Sequence, residues 1–156
     1  MYSNKLICNI LIYINNNINN KISINELSNI FFYNRYYIIK LFKKEIGLSI
    51  TEYINSIRIY NAIKQIKNSN NKLISIAFKN GFYSLEYFSE TFKQITKLSP
   101  QKFKTFFSTK KGITDKDVST INSAIVNLHE ISKIKDIYLA KQKPIKPPVK
   151  RLSIFK

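Results

Sequence analysis

Ile76-Ala77-Phe78-Lys79-Asn80-Gly81-Phe82-Tyr83-Ser84 is the stretch on which the fold turns. Glycine accepts the positive φ of a sharp turn, a small Ala lets a second helix approach the first, and Ser is a good helix cap. The spacing therefore predicts a short helix over residues 73–80, a corner at Gly81, and a second helix capped by Ser84 that runs through Tyr87, Phe88, Phe92 and Ile95. Ser99-Pro100 then reads as a cap followed by Pro at the first helical position.

Upstream, the same order of signals is already present. Ile7, Ile10, Leu11, Ile14 and Ile18 recur by three and four residues, which predicts a first helix over about residues 3–18. Ser23-Ile24-Asn25-Glu26 and Ser49-Ile50-Thr51-Glu52 are capping boxes; the first opens a short helix near 24–31, the second a long helix over about 50–68. Asn34 caps a helix that runs through Arg35, Tyr37, Ile38, Leu41 and Phe42 and stops before Gly47. At an offset of 50, Tyr37, Phe42, Lys43, Leu48, Ser49 and Tyr53 fall on Tyr87, Phe92, Lys93, Leu98, Ser99 and Phe103; at 49, Leu27 and Ser28 fall on Ile76 and Ala77. Two copies of one helical unit are thus joined by the 50–68 helix, whose apolar residues Ile54, Ile57, Ile59, Ala62, Ile63 and Ile66 cover more than one stripe and require neighbours on two sides. The corner in the second unit is a helix-turn-helix signature.

The chain has 156 residues and a net charge of +17, an excess suited to a polyanion. Charge alone does not select phosphate, because 23 Lys against three Arg, beside 28 Ile and 18 Asn, is also the usage of an AT-rich genome. An apolar share of 44% supports a packed core. One cysteine, Cys8, excludes an internal disulfide framework and fits a reducing cytoplasm. No stretch has the ~20 apolar residues of a membrane span, and the lysines are spread over several helices rather than gathered on one apolar-backed face, so no membrane partner is expected. His129 stands alone beside Glu130, so no metal site or catalytic triad assembles; neither an enzyme nor a cofactor is expected.

The wider string of Arg58 and Ala62, Ile76-Ala77, Gly81-Phe82, Tyr87-Phe88-Ser89, Phe92-Lys93, Ser99-Pro100 and Phe103-Lys104 resembles the C-terminal signature of AraC/XylS-type transcription regulators, and Leu41-Phe42-Lys43-Lys44-Glu45-Ile46-Gly47 resembles the end of that family's first recognition helix. The resemblance covers about residues 5–107. It implies an all-α, seven-helix, two-lobed monomer: a DNA-binding domain over 1–107, with lobe one at about 5–48, the linker helix at 50–68 and lobe two at about 72–107. Such a molecule would offer two recognition helices to successive major grooves of double-stranded DNA, about one helical turn apart. The family further implies a promoter-binding regulator, more often an activator, with RNA polymerase as a second partner. With no effector domain ahead of it, control through abundance is expected.

By the same resemblance, Arg35, Tyr36, Ile39, Lys40 and Lys43 occupy the groove-facing positions of the first recognition helix, and Ser84, Leu85, Glu86, Ser89, Glu90 and Lys93 those of the second. Arg35 and Lys40 would meet guanine acceptors or phosphates, Lys43 a phosphate, and Tyr36 and Ile39 thymine methyls or sugar. Glu90 stands where the family usually has Arg or Lys, and Glu86 adds a second acid, so the first lobe is expected to dominate affinity. The alternative is a family member whose second helix has lost DNA and which docks RNA polymerase or another regulator. Phe32 stands where the first turn often has Gly and Ser28 replaces Ala, from which a wider first turn is expected. Phe42, Tyr87, Phe88 and Phe92 are expected in the core, Cys8 as a packed small residue, and Arg58 in a structural or phosphate-binding role. Residues 108–156 form a basic extension, in which Thr114 caps a weak helix over about 115–139 with Val118, Ile121, Ile125, Leu128, Ile131 and Ile134 on one stripe, before a Pro/Lys tail from Lys141.

Overall fold

The computed structural model describes residues 2–141, with side chains from residue 5 onward. Nine α-helices and no strand occur among the described residues: α1 (Tyr2–Asn16), α2 (Ile24–Phe31), α3 (Arg35–Ile46), α4 (Ile50–Asn68), α5 (Leu73–Lys79), α6 (Leu85–Thr96), α7 (Pro100–Ser108), α8 (Asp115–Ser132) and α9 (Ile134–Lys141). The helices start where the caps predict. Ser23 and Ser49 each close both bonds of a capping box, and Asn34, Ser84 and Ser99 accept backbone N–H groups at the starts of α3, α6 and α7. Each such cap contributes about 1 kcal/mol by satisfying a donor that the helix leaves free.

Two cores follow from the duplication. In lobe one, Ile7, Ile10, Leu11 and Ile14 of α1 pack with Leu27, Ile38 and Phe42; in lobe two, Ile59, Ala62, Ile63 and Ile66 of α4 take the place of α1 and pack with Ile76, Phe88 and Phe92. The N-terminal half of α4 (Tyr53, Ile54, Ile57) belongs to the first core, so one helix closes both. The copies agree in detail: Phe42 meets Tyr53 edge-on with ring centroids at 5.7 Å, and their counterparts Phe92 and Phe103 do so at 4.9 Å. Truncating Phe42 or Phe92 to Ala would cost about 3–5 kcal/mol.

The first turn is tighter than expected, not wider. Three residues separate α2 from α3, five separate α5 from α6; the change of offset from 49 to 50 along the repeat accounts for one of those two residues, and α2, one residue longer than α5, for the other. Phe32 takes the left-handed conformation at φ 58°, its N–H donates to the Ser28 carbonyl, and the Ser28 hydroxyl donates to the Tyr33 carbonyl at 2.6 Å. Ser28 thus draws the turn in through a bond Ala cannot make.

The extension also departs from expectation. It forms two helices broken at Lys133, and α9 runs to Lys141, the residue at which the sequence predicts the start of the tail; residues 142–156 lie outside the described residues. Thr114 and Asp117 complete a capping box for α8. Ile121 and Leu128 are buried in the second core, whereas Ile134 and Tyr138 pack on the first.

Candidate nucleic-acid interface

At about 100° per residue, Arg35, Tyr36, Ile39, Lys40 and Lys43 fall on one side of α3, and Leu85, Glu86, Ser89, Glu90 and Lys93 fall on the same side of α6. The opposite sides carry Ile38, Leu41 and Phe42, and Phe88, Thr91 and Phe92, all buried. On α3 all five outward residues are exposed, Tyr36 by 70% and Ile39 by 46%. Of the outward residues of α6 only Glu86, Glu90 and Lys93 are exposed; Ser89 is half-buried, Leu85 leans on the second core, and Ser84 is the cap, its Oγ accepting the Tyr87 N–H. The outward face of α3 therefore carries three cations and no acid, that of α6 one cation and two acids.

Two of the α3 cations have protein partners. Arg35 Nη1 donates to Asn25 Oδ1 at 2.9 Å, which leaves most of the guanidinium fork free, and Lys43 Nζ lies 3.5 Å from Glu52 Oε2. Both contacts are exposed and weak enough to exchange for a phosphate. The Glu52 carboxyl is held below its usual range, first by the Ser49 backbone N–H and then by the Lys43 ammonium.

Arg58 proves structural. It is buried, its Nε and Nη2 donate to the carbonyls of Ile18 and Asn20 at 2.7 Å each, and its guanidinium lies 5.9 Å from the centroid of Phe82. Burial lowers its pKa from the ordinary arginine value, and a guanidinium remains charged in a protein. Gly81, at φ +84°, makes room for it: a Cβ there would sit 3.1 Å from Arg58 Cζ and Nε and 3.1 Å from the Asn19 carbonyl oxygen. The corner of lobe two is thus tied to the α1–α2 loop of lobe one.

Tyr87 is not a core residue. It is 46% exposed, as is its counterpart Tyr37, because both stand on the flank of their helix between core and outward face. Tyr87 accepts a hydrogen bond from Asn55 Nδ2 at 3.2 Å and lines an interlobe cleft of about 470 Å³ with Ser49, Gln94 and Asn127. Tyr37 stacks on Tyr33. The repeat pairs the two tyrosines, and that pairing, rather than their hydrophobicity, was the signal for a common place. Cys8 is buried in α1. His129 Nδ1 lies 2.7 Å from the Tyr60 hydroxyl, and no group of three or more His, Cys, Asp or Glu is placed to hold a metal among the described residues. No helix among them is long and apolar enough to cross a membrane.

The pattern recurs in other proteins. A family model described as a helix-turn-helix domain matches residues 27–105, half of the chain, from α2 into α7. The HTH-type transcriptional activator AarP of Providencia stuartii is 29% identical over 103 residues, 66% of this chain and 76% of its own length. The multiple antibiotic resistance protein MarA of Escherichia coli is 30% identical over 95 residues, 61% of this chain and 75% of its own length. The structure of a protein of unknown function from Listeria innocua matches with a TM-score of 0.59 at 32% identity, over 63% of this chain and 93% of that one. The family match spans both helix-turn-helix lobes and the α4 that joins them: the chain belongs to the AraC/XylS-type helix-turn-helix family of DNA-binding transcription regulators.

Proposed function

We propose that residues 1–107 are the reading unit of a sequence-specific, monomeric, cytoplasmic transcription activator that sets α3 and α6 into successive major grooves on one face of promoter DNA and contacts RNA polymerase. The observation that carries this reading is the repeated outward face: the same five helical positions point away from the buried side of each copy, all five exposed on α3 with Arg35, Lys40 and Lys43 among them, and Glu86, Glu90 and Lys93 exposed on α6. Arg35 at the start of α3 and Lys40 one turn on suit guanine edges or phosphates, Lys43 a phosphate, and Tyr36 and Ile39 thymine methyls or sugar. On α6, Ser84 and Ser89 supply hydroxyls, Leu85 an apolar edge and Lys93 a phosphate contact. Glu86 and Glu90 accept only where cytosine N4 donors face them and repel phosphate elsewhere, so affinity resides mainly in lobe one.

The names of AarP, an activator, and MarA, a resistance protein, support a regulatory role without fixing its targets. Mobility shift on random promoter fragments at about 50 and about 200 mM salt tests the reading. Three phosphate contacts from α3 give a slope near −0.9 × 3, about −2.7, and hence about a 40-fold loss of affinity between the two salts. One class of fragments should stay preferred over bulk DNA at both; no preference at either would refute sequence-specific reading. The exposed acids on α6 favour a second role for lobe two as a protein-docking face, and this reading gains if the chain protects no DNA but retains RNA polymerase.

A further inference from the structure

The family match ends at residue 105, yet the chain continues into α8 and α9, and these two helices touch both lobes. The α8 helix packs against α4 and α6, with Ile121 and Leu128 fully buried in the second core. Its start is pinned by Lys102 Nζ of α7, 3.0 Å from Asp117 Oδ2, and its last turn by the bond between His129 and Tyr60 of α4. The α9 helix packs against α1 of the other lobe. Ile131, just before the break at Lys133, belongs to the surroundings of both cores. Tyr138 then reaches α3 itself: its hydroxyl donates to the Glu45 carbonyl at 2.8 Å, one of the carbonyls that a helix end leaves without an internal partner.

We infer that α8–α9 is an interlobe brace that fixes recognition helix α3 relative to α6, and that Ile131 and Tyr138 are positioning residues which set the half-site spacing the protein accepts. This rests on the two-groove reading above. Without the extension, the link between lobes is α4, a single helix free to bend and twist along its length, together with the Arg58 contacts near its middle. With it, lobe two is clamped through α8 and lobe one through α9, and the bond from Tyr138 lands on the recognition helix rather than on a remote loop. The brace also leaves the reading faces open: α8 lies beside Ile95 of α6, on the other side of that helix from Glu86, Glu90 and Lys93, which are exposed. Preorganised lobes bind only a duplex whose half-sites match them, which converts a stability feature into a determinant of specificity.

The test uses the full chain, wild type against Tyr138→Phe and Ile131→Ala. The Phe variant keeps the ring packing and loses only the bond to Glu45, so it folds even if the Ala variant does not. Spin labels at Lys44→Cys in α3 and Glu90→Cys in α6, both exposed, report the interlobe distance without DNA, while buried Cys8 is shielded from the label. The distance distribution should be narrow in the wild type and broader in each folded variant. In parallel, fragments selected by the wild type receive about two extra base pairs between the half-sites, which turns the second by about 70°. The wild type should lose at least about ten-fold in affinity and the variants less than about three-fold. Unchanged distance widths in folded variants overturn the brace whatever the DNA results; broadened distances with an unchanged spacing penalty overturn its role in specificity. If the wild type selects no fragment, the two-groove reading fails, and the label distances alone decide the brace.

Discussion

Gly81→Ala and Gly47→Ala form a matched pair that isolates what a close approach costs. Both glycines sit at nearly the same positive φ, +84° and +83°, so both substitutions meet the strain of a left-handed Ala. That strain is about 1–2 kcal/mol, offset by about 0.4–1 kcal/mol for the smaller freedom of Ala in the unfolded chain. Gly47 has nothing within 4 Å of its added Cβ, so its variant should lose about 1 kcal/mol. At Gly81 the Cβ meets the Arg58 guanidinium and the Asn19 carbonyl at 3.1 Å, and neither yields easily: one is backbone, the other is buried and bonded to two carbonyls. Displacing Arg58 enough to lose one charge-assisted bond adds about 2 kcal/mol, giving about 3 kcal/mol in all. For a chain of this size these are midpoint shifts of about 2–4 °C and about 6–12 °C, read by circular dichroism on heating and by urea titration. Equal losses at the two sites would refute the packing account of Gly81. So would a Gly81→Ala penalty that persists in full when Arg58 is also replaced by Ala.

Phe32→Gly should stabilise the fold by about 0.5–1 kcal/mol, since it relieves a left-handed aromatic and gives up little burial at a residue 92% exposed; a lower urea midpoint would show that the ring contributes contacts. Lys40→Ala should weaken specific binding by about 1–3 kcal/mol, whereas Glu90→Arg should tighten binding and steepen the salt slope by about 0.9 if it gains one phosphate; loosened binding by Glu90→Arg would mean that the acid reads a base. The carboxyl of Asp117 is held below its ordinary 3.8, first by the Thr114 N–H and then by Lys102, and that of Glu52 below 4.5 by Ser49 and Lys43. Both bind protons less well folded than unfolded, so they stabilise the fold above those ordinary values, and the gain is lost as pH falls through the lower folded values. The urea midpoint should drop between about pH 5 and about pH 2, and Asp117→Asn should flatten part of that drop; an unchanged slope would contradict the assignment.

Most of the architecture was legible because local chemistry and global pattern agree: Ser23, Asn34, Ser49, Ser84 and Ser99 mark helix starts that tertiary contacts then keep, and the repeat placed Phe42 with Phe92 and Tyr53 with Phe103. Three features were harder to read. The tight first turn depends on a Ser28 hydroxyl bond to a backbone carbonyl five residues on, which no spacing rule encodes, although the one-residue change of offset recorded its consequence. Helical periodicity separates core from surface but not core from flank, so it puts Tyr87 in the core when the residue is 46% exposed. The extension has the periodicity of one stripe, yet Ile121 and Leu128 serve one lobe and Ile134 and Tyr138 the other; its break falls at Lys133, a residue with no helix-breaking character. At the reading face, the charge contrast between α3 and α6 was visible as soon as the helices were aligned. That Leu85 and Ser89 are half-buried depends on how deeply α6 sits in its lobe, which only the packed structure determines.

If one chain reads two successive major grooves with unequal helices, hydroxyl-radical footprinting of the intact protein on a selected fragment records both. Two protected segments centred about 10 base pairs apart on one face of the duplex are predicted, with Lys40→Ala erasing the deeper one and Glu90→Arg deepening the shallower. A single protected segment, or two of equal depth that respond alike to both substitutions, would contradict this two-groove reading.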